Sequence, residues 1–383
     1  MKVAVVHDWL VVRGGAERVL EAILSIVPGA DIYTTVYDKD VFKNSEISSH
    51  KITASFVNRL PFGIKKYRNY LPLMPIAVEQ FDLSKYDLII SSSYAVAKGV
   101  ISGPDQIHIS YVHSPMRYAW DLQSQYLRDS GFDRGIKSWL ARWLLHKIRI
   151  WDLRTANGVD LFIANSKFIA RRIWKIYRRK SKVIYPPVDI SSFDLVENKS
   201  DYYVTASRMV PYKKIATIVE AFAEMKEKKL VVIGDGPDMK KVRSKAMPNI
   251  EILGYQPDDV LRDYLKRAKA FVFAAEEDFG ILPVEAQACG TPVIAYGKGG
   301  VLETVNSLDS AMPTGIFFEE QSVSSIIKAV EEFESVSEKI KAASCRENAA
   351  RFSQERFAAE FKKLLDVELK KQKGMGESDI IIN

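Results

Sequence analysis

Residues 270–296 read AFVFAAEEDFGILPVEAQACGTPVIAY, a stretch that combines two strand patterns with a helix pattern between them. The apolar run 270–273 predicts one buried strand, and residues 292–295 predict a second. Pro283 favours a helix that begins near Ile281, because a proline in the first turn removes an N–H group that has no intrahelical partner. A strand, a helix and a further strand in this order indicate a parallel sheet covered by helices.

The same alternation continues in both directions through the 383 residues of the chain. Short apolar runs separated by amphipathic stretches predict an α/β protein with two doubly wound domains. The predicted strands cover residues 3–6, 88–91, 108–112, 161–164 and 183–185 in the first half and 203–206, 230–233, 250–253, 270–273 and 292–295 in the second. In such domains, ligands bind beyond the carboxyl ends of the strands.

Pro186 and Pro187 divide the chain near its middle. Because consecutive prolines continue neither a strand ladder nor a helix, we place the linker between the two domains here. The first predicted domain covers residues 1–187, and the second covers residues 188–352. A last helical stretch, over residues 353–372, has apolar side chains close to helical spacing.

Composition excludes several classes of protein. Cys289 and Cys345 are too few and too far apart for a disulfide framework, and the sequence contains no zinc-binding spacing. His7 and Asp8 interrupt the first apolar run after a few residues, so we expect a strand there and not a signal peptide. No apolar run approaches the ~20 residues that span a bilayer. We therefore expect a cytoplasmic protein, either soluble or bound peripherally to the inner face of the cell membrane.

The net charge of +7 is concentrated in one segment. Residues 128–182 carry 15 Lys and Arg but only 4 Asp and Glu. Within this segment, Trp139, Trp143 and Trp151 alternate with basic residues on a helical pattern, which favours contact with an anionic membrane surface. A helix that packs against the core and has a solvated basic side is the alternative. Nucleic acid also binds basic surfaces, but the chain has no recognisable nucleic-acid module.

Two acidic side chains flank the predicted helix start in the opening stretch. Glu277, at the end of a strand, is placed to accept hydrogen bonds from ligand hydroxyls. Glu285, one turn into the helix, would reach a ribose diol, although a charge on an exposed helix surface is the alternative. Gly280 lets a ligand approach the backbone, and the free N–H groups of Ile281 and Leu282 suit a sugar hydroxyl or a phosphate.

Two cations and two glycines follow neighbouring strands of the same predicted domain. Arg208 and Lys213 suit a diphosphate, because Arg offers a fork of donors and Lys a point charge, although a solvated basic loop is the alternative. Gly234 and Gly236 lie in the run LVVIGDGP, where the loop can pass close to a nucleotide. Met239 stands where a dinucleotide fingerprint requires its third glycine, so we exclude a nicotinamide cofactor.

The first half carries a similar set of residues at strand ends. His7 and Asp8 follow the first strand, and Gly14 and Gly15 come shortly after them. Backbone N–H groups at a helix start suit a phosphate or an acceptor, and an ordinary turn is the alternative. His113 ends another strand, where a histidine either contacts a ligand or is structural.

An aromatic loop follows His113. Arg117, Tyr118 and Trp120 belong to this loop, which suits an acceptor sugar, with packing of the loop against the domain as the alternative.

Together these stretches resemble the retaining glycosyltransferases of family four, whose GT-B fold has two Rossmann-like domains that face a central cleft. The runs HDWL (7–10), GGAER (14–18) and HSPMRYAWD (113–121) are similar to those of bacterial GDP-mannose-dependent mannosyltransferases that build O-antigen or exopolysaccharide. The resemblance implies transfer of mannose from GDP-mannose to a saccharide or a polyprenyl-diphosphate-linked saccharide. The sequence itself contains no metal-binding pattern, so we expect no metal or other cofactor. It also implies that the last helix, about 353–383, crosses back to the first domain.

The resemblance also implies roles for individual residues. The expected catalytic residues, at the donor sugar and its diphosphate, are His113, Glu277, Arg208 and Lys213. The expected donor-binding residues are Gly14, Gly15, Gly234, Gly236, Phe279, Gly280, Ile281, Leu282 and Glu285. The expected acceptor-binding residues are His7, Asp8, Arg117, Tyr118 and Trp120.

Three other functions stay open at this point. The donor could be a UDP-sugar. The protein could be a sugar-nucleotide epimerase, which would convert the donor with no acceptor present. It could also be a non-catalytic protein that binds a nucleotide sugar and never turns it over.

Overall fold

A computed structural model describes residues 1–374, which divide into two units. Unit 1 comprises Met1–Pro187 and the chain from Glu355 onward, and unit 2 comprises Val188–Gln354. The predicted extension of the last helix over residues 375–383 lies outside the described residues. Each unit is built around its own parallel sheet.

Strands and helices follow one another along both units. The strands are β1 (Val3–His7), β2 (Asp31–Thr34), β3 (Ile52–Ala54), β4 (Leu88–Ser93), β5 (Ile107–Val112), β6 (Leu161–Ala164), β7 (Ser181–Val183), β8 (Tyr203–Ala206), β9 (Leu230–Ile233), β10 (Ile250–Gly254), β11 (Ala270–Phe273), β12 (Val293–Tyr296) and β13 (Gly315–Phe318). The α-helices are α1 (Gly15–Ile26), α2 (Lys39–Phe42), α3 (Met74–Glu79), α4 (Gln123–Asp129), α5 (Gly135–Thr155), α6 (Lys167–Tyr177), α7 (Ile215–Glu224), α8 (Met239–Arg243), α9 (Asp258–Arg267), α10 (Ile281–Ala288), α11 (Val301–Thr304), α12 (Val323–Val336), α13 (Ala342–Ala350) and α14 (Gln354–Gly374).

The two sheets have the same doubly wound order. The seven-stranded sheet of unit 1 runs β3-β2-β1-β4-β5-β6-β7, and the six-stranded sheet of unit 2 runs β10-β9-β8-β11-β12-β13. The order reverses between β1 and β4 in unit 1 and between β8 and β11 in unit 2. In such sheets the ligand crevice lies at the carboxyl ends of the strands beside this reversal. The predicted α/β fold class is therefore confirmed, and the topology points to the loops after these four strands.

The strands missing from the sequence prediction are short. The structure adds β2, β3 and β13, which have three or four residues each. It also moves the strand predicted at 183–185 back to Ser181–Val183, although the N–H of Ile184 still donates to the carbonyl oxygen of Ala164 at 3.1 Å. Such short runs owe their strand state to hydrogen bonds with partners distant in sequence, which a local pattern does not contain.

Helix α14 completes the core of unit 1, as predicted for the last helix. Phe357 and Phe361 are fully buried, and their rings stack with centroids 5.5 Å apart. The ring of Phe357 also lies 6.0 Å from that of Tyr111 on β5. The chain therefore returns to unit 1 after it has formed unit 2, and it buries an aromatic face against the first sheet.

In unit 2, helices α7 and α12 cover the sheet through aromatic contacts. The ring of Tyr203 on β8 lies 5.2 Å from Phe222 and 6.3 Å from Phe333.

Of the helices within residues 1–374, none combines the length and the apolar composition that crossing a membrane requires.

Candidate functional site

The carboxylate of Glu277 lies just beyond β11, at the order reversal of the unit 2 sheet. It forms an ion pair with the ammonium group of Lys213, which follows β8. The side chains of Lys213 and Glu277 are 15% and 19% exposed, so each charge is partly desolvated and still accessible to a ligand. The structure thus brings together two of the four predicted catalytic residues, whose role in catalysis stays a prediction.

A glycine pair that the sequence analysis missed holds the Glu277 loop in place. Gly300 donates its backbone N–H to the carbonyl oxygen of Glu277 at 2.8 Å. A Cβ atom at Gly299 would lie 2.4 Å from that same oxygen, and one at Gly300 would lie 2.4 Å from the carbonyl oxygen of Asp278. Because only glycine permits this approach, the Gly-Gly pair shortly after β12 is a sequence signal that could have identified the loop.

Arg208 lies exposed in the loop after β8. Two predicted donor-binding glycines in the next loop allow the two backbones to pack closely. A Cβ atom at Gly234 would lie 1.9 Å from the carbonyl oxygen of Ser207, and one at Gly236 would lie 2.5 Å from that of Met209. The glycines therefore shape the loop that carries Arg208. Their contact with a donor, and the binding of a diphosphate by Arg208, stay predictions.

Helix α10 begins after Gly280, whose φ of +89° favours glycine. The first two residues of α10, Ile281 and Leu282, are partly buried. Glu285 is only 5% exposed, so the alternative of an exposed helix-surface charge is wrong. The ring of Phe279 is buried inside unit 2, so the predicted donor contact of this residue would come from its backbone.

Asp8 has a structural role in place of the predicted contact with an acceptor. Its side chain is fully buried, and its two oxygens accept four backbone hydrogen bonds of 2.5 to 2.9 Å. The donors are the N–H groups of Tyr94, Ala95, Val96 and Ala97. Burial raises the pKa of Asp8, while the neighbouring His7 and these hydrogen bonds lower it. Asp8 thereby holds the loop after β4 against the end of β1, and no oxygen is left to face a sugar.

A hydrogen-bonded series of four side chains links β1, α1, β4 and the end of β5. An oxygen of Glu17 lies 3.3 Å from Nε2 of His7, and Nδ1 of His7 lies 3.0 Å from Oγ of Ser92. The same Oγ lies 2.8 Å from Nε2 of His113. His7 has no exposed surface, so its predicted contact with an acceptor is replaced by a place in this series.

His113 therefore lies at the carboxyl end of β5, and its Nε2 is hydrogen-bonded to the hydroxyl of Ser92. Burial, and to a smaller extent the nearby His7, lowers the pKa of His113 to about 3. At neutral pH the imidazole is uncharged, so it offers a ligand one hydrogen bond and no positive charge. Sequence analysis identified His113 but not Glu17 or Ser92, both of which lie in the same series.

Gly14 and Gly15 open helix α1, as predicted. The backbone N–H of Gly14 donates to the second carboxylate oxygen of Glu17 at 2.9 Å, which is the capping-box arrangement. This N–H group is therefore occupied within unit 1 and is not the free phosphate donor that we predicted. An acidic residue three positions after a helix cap is the signal that could have identified Glu17.

The predicted acceptor loop makes contacts inside unit 1. The indole N–H of Trp120 donates to the buried carboxylate of Asp152 at 2.7 Å, and Nε of Arg117 donates to Oγ of Ser114 at 3.3 Å. Tyr118 packs against the same core, and burial raises its pKa well above the ordinary value. These contacts favour the alternative of loop packing, and acceptor binding by Arg117 and Tyr118 stays a prediction.

Helix α5 exposes an apolar stripe, which we name the α5 face. Its members lie on one side of the helix, and each is more than 40% exposed. They are Ile136, Trp139, Leu140, Trp143, Ile150 and Leu153. Trp151 does not belong to it, because its ring packs in the core and its indole N–H donates to Glu79 at 2.7 Å.

Basic side chains surround the α5 face. Arg134, Lys137, Arg142 and Lys147 are all exposed on or beside α5, and the ammonium of Lys147 lies 5.8 Å from the ring of Trp143. The alternative that these tryptophans pack against the core is wrong for Trp139 and Trp143 and right for Trp151.

Two models of known families match the chain, one in each half. A family model described as "Glycosyltransferase Family 4" matches residues 13–192. A second, described as "Glycosyl transferases group 1", matches residues 189–352.

Two curated relatives and one solved structure illustrate the similarity. An uncharacterised glycosyltransferase of Methanocaldococcus jannaschii is 29% identical over 39% of this chain and 44% of its own length. The GDP-Man:Man(3)GlcNAc(2)-PP-Dol alpha-1,2-mannosyltransferase of Xenopus laevis is 27% identical over 53% of this chain and 47% of its own length. The chain thus spans about half the length of these relatives. The structure of the Anabaena protein HepE was solved in complex with UDP-glucose. It superposes on 96% of this chain and 100% of its own with a TM-score of 0.67 and 18% sequence identity, so the two proteins share a fold.

Proposed function

We propose that the chain transfers mannose from GDP-mannose to a saccharide acceptor in cell-surface polysaccharide synthesis, because a glycosyltransferase family model matches each of its halves. The family matches and the GT-B fold of its structural neighbours support glycosyltransferase activity. The acceptor is a saccharide, free or linked to a polyprenyl diphosphate. The proposed reaction uses no metal or other resident cofactor, and the nucleotide sugar is its substrate.

The Lys213–Glu277 ion pair is the structural observation that best supports this proposal. Both groups lie at the order reversal of the unit 2 sheet, where doubly wound sheets bind ligands, and both remain accessible. A carboxylate that accepts hydrogen bonds from sugar hydroxyls, beside an ammonium that binds a phosphate oxygen, matches the two halves of a nucleotide sugar.

In the proposed reaction, the bond between the anomeric carbon and the diphosphate oxygen breaks, and negative charge develops on the diphosphate. Arg208, Lys213 and the N–H groups at the start of α10 stabilise that charge. The acceptor hydroxyl forms the new bond on the same face of the sugar and gives its proton to a phosphate oxygen. The configuration at the anomeric carbon is therefore retained. Glu277 orients the sugar through its hydroxyls and is not a nucleophile of the glycosidase kind.

The donor sugar is the finer part of the proposal. Mannose is supported by the sequence runs around His7, Gly14 and His113 and by the name of the Xenopus laevis relative. A UDP-sugar is the alternative donor, since HepE was solved with UDP-glucose.

Thermal unfolding in equal excess of GDP, UDP, ADP or TDP tests the donor. A ligand at about 100 times its Kd adds about 2.7 kcal/mol to the free energy of unfolding, which raises the midpoint clearly. Stabilisation by GDP alone supports GDP-mannose, stabilisation by UDP alone removes the mannose assignment, and stabilisation by none contradicts the donor site.

Turnover distinguishes the remaining functions. GDP-mannose incubated with a polyprenyl-diphosphate-linked saccharide should give GDP and a longer saccharide with an α-linkage, read by NMR. Conversion of the sugar nucleotide without acceptor would indicate an epimerase. Binding of the nucleotide sugar without any turnover would indicate a non-catalytic binding protein.

We further propose that the α5 face binds an anionic membrane surface, at the inner face of the cell membrane. Six exposed apolar side chains on one side of a helix, two of them tryptophan, would enter the boundary between head groups and acyl chains. The surrounding arginines and lysines would meet the anionic head groups. A polyprenyl-linked acceptor would be held in the same membrane.

A further inference from the structure

The carboxylate of Glu17 gives the series of hydrogen bonds from Glu17 to His113 a direction when His7 carries a single ring proton. A carboxylate only accepts hydrogen bonds. One oxygen of Glu17 accepts from the backbone N–H of Gly14 at 2.9 Å. The other lies 3.3 Å from Nε2 of His7, so that nitrogen carries the proton and donates it.

The direction continues through Ser92. With one ring proton, on Nε2, His7 would have a lone pair at Nδ1, which would accept the hydroxyl proton of Ser92 at 3.0 Å. Ser92 has no second proton, so its oxygen accepts from Nε2 of His113 at 2.8 Å. His113 then keeps its own lone pair on Nδ1.

We propose that His7 carries a single proton, on Nε2, and that Glu17, acting through His7 and Ser92, holds His113 in the Nε2–H tautomer and so presents Nδ1 as a hydrogen-bond acceptor. These three are positioning residues. The group that Nδ1 accepts from is a hydroxyl of the bound sugar substrate, and this last step rests on the proposed function.

The ring of His113 is held from several sides. Its backbone N–H donates to the carbonyl oxygen of Ser93 at 2.9 Å, and the side chain of Asn165 donates to its carbonyl oxygen at 2.9 Å. The rings of Tyr111 and Tyr94 lie 5.1 Å and 5.9 Å from the imidazole. With the ring position fixed in this way, the tautomer decides whether the ligand meets a donor or an acceptor.

The variant Glu17→Gln should reverse the whole series without changing its shape. The N–H of Gly14 requires an acceptor, so the amide oxygen of Gln faces Gly14 and the NH₂ group faces His7. Nε2 of His7 then accepts, its Nδ1–H donates to Ser92, and the hydroxyl of Ser92 donates to Nε2 of His113. The expected tautomer of His113 in this variant is Nδ1–H.

Two-bond ¹⁵N–¹H NMR of the full-length, ¹⁵N-histidine-labelled protein tests this directly, because the chain has only 5 histidines. His108 supplies an internal reference of opposite tautomer. Its Nδ1 lies 3.2 Å from the carbonyl oxygen of Gly158, and its Nε2 lies 2.9 Å from the hydroxyl of Ser91.

The expected spectrum near neutral pH shows Nε2–H for His7 and His113 and Nδ1–H for His108, with signals assigned from single histidine variants. Glu17→Gln should move His7 and His113 to Nδ1–H and leave His108 unchanged. An Nδ1–H signal for His113 in the wild type, as a doubly protonated His7 would produce, overturns the proposal. An unchanged His113 in Glu17→Gln overturns it as well.

Kinetics test the step toward the sugar. Ser92→Ala and Glu17→Gln should each lower kcat/KM for transfer about tenfold, which corresponds to one hydrogen bond. Ser91→Ala removes an equally buried serine–histidine bond from the same strand and should leave kcat/KM unchanged. If the tautomers switch and the rate does not, the role of Nδ1 toward the sugar is wrong. A wild type without any transfer would instead contradict the proposed function, while the NMR result would still decide the tautomer.

Discussion

Exposure separates the carboxylates that can meet a ligand from those that support the fold. Asp8 is fully buried and its oxygens accept four backbone N–H groups, whereas Glu277 keeps part of its surface accessible and pairs with a single lysine. Both follow a strand at an order reversal, so their positions in the topology are alike. The number of backbone donors around each carboxylate distinguishes them, because a carboxylate saturated by the backbone has no lone pair to offer a substrate.

Glu277→Gln should lower kcat for transfer by at least about 100-fold. The amide keeps the shape but loses the charge that pairs with Lys213, and the sugar is then held less accurately. Steady-state kinetics with the natural donor measure this. The adjacent Glu276 is exposed, so Glu276→Gln is the matched control and should behave like the wild type. Near-normal turnover by Glu277→Gln would contradict the proposed role of Glu277 at the donor sugar.

Among the loops and strands, backbone geometry places the side chains of the site. The Glu277 loop rests on Gly299 and Gly300, and the Arg208 loop rests on Gly234 and Gly236. In each case a glycine-containing loop packs against the loop that carries the charged residue. The charged residues can therefore stay partly exposed, since the backbone beneath them and not their own burial fixes their positions.

Gly299→Ala should destabilise unit 2 and impair transfer together. Alanine at φ +83° costs about 1–2 kcal/mol, and its Cβ would also collide with the carbonyl oxygen of Glu277. Gly254→Ala is the control, because Gly254 has φ +72° and no heavy atom within 4 Å of a Cβ. Chemical unfolding and kinetics should therefore show a small stability loss alone for Gly254→Ala and a larger loss with reduced turnover for Gly299→Ala. Equal effects would contradict the role of the close contact.

Two buried histidines, His108 on β5 and His113 directly after it, should make the stability of unit 1 depend on pH. Burial lowers the pKa of His108 to about 4 and that of His113 to about 3, while the unfolded chain binds a proton near pH 6.5. Below about pH 6.5 the unfolded state therefore holds more protons, and each histidine removes up to about 1.4 kcal/mol of stability per pH unit as the pH falls toward its folded pKa. Above that pH the contribution is constant.

Urea unfolding between pH 7 and pH 5 measures this slope. His108→Gln should make the decline of stability shallower, because one titrating group is gone. An unaltered slope in His108→Gln would show that this histidine is not held neutral.

At the scale of the whole molecule, unit 1 depends on a helix that follows unit 2 in the chain. Helix α14 supplies Phe357 and Phe361 to a core whose strands end at Val183. The first sheet therefore keeps one face incomplete until the rest of the chain has been made. The apolar surface that α14 buries therefore makes the stability of unit 1 depend on a segment beyond unit 2.

Phe357→Ala should destabilise unit 1 by about 3–5 kcal/mol, because it leaves a cavity beside Tyr111. All 6 tryptophans lie before Pro187, so tryptophan fluorescence during urea unfolding reports on unit 1. Val367→Ala changes an exposed position of the same helix and should stay within about 0.5 kcal/mol of the wild type. A wild-type midpoint for Phe357→Ala would show that α14 does not support the sheet.

The α5 face should bind vesicles that contain phosphatidylglycerol and not vesicles of phosphatidylcholine alone. The double variant Trp139→Ala and Trp143→Ala should weaken binding at least about tenfold in co-sedimentation, because two large apolar side chains leave the interface. Added salt should weaken it as well, since each basic residue contributes about 1 kcal/mol. Phe62→Ala, at another exposed apolar position of unit 1, is the control. Equal binding to both vesicle types would refute an electrostatic membrane site.

Periodicity and turn chemistry in the sequence determined the two parallel sheets and the start of α10 near Pro283, because these features depend on neighbours within a few residues. The return of the last helix was expected only from the family resemblance, since it depends on contacts such as that of Phe357 with Tyr111, which are far apart in the sequence. Likewise the positions of Glu277, Lys213 and His113 at strand ends could be predicted from apolar runs alone. The tertiary structure decided which side chains face one another. His7 and Ser92 are 85 residues apart, and Asp8 meets donors 86 to 89 residues away. Strand order and burial decide which side chains meet. Because a buried polar group without a hydrogen bond lowers the stability of the fold, the partners that a side chain meets determine whether it supports the fold or stays accessible to a ligand.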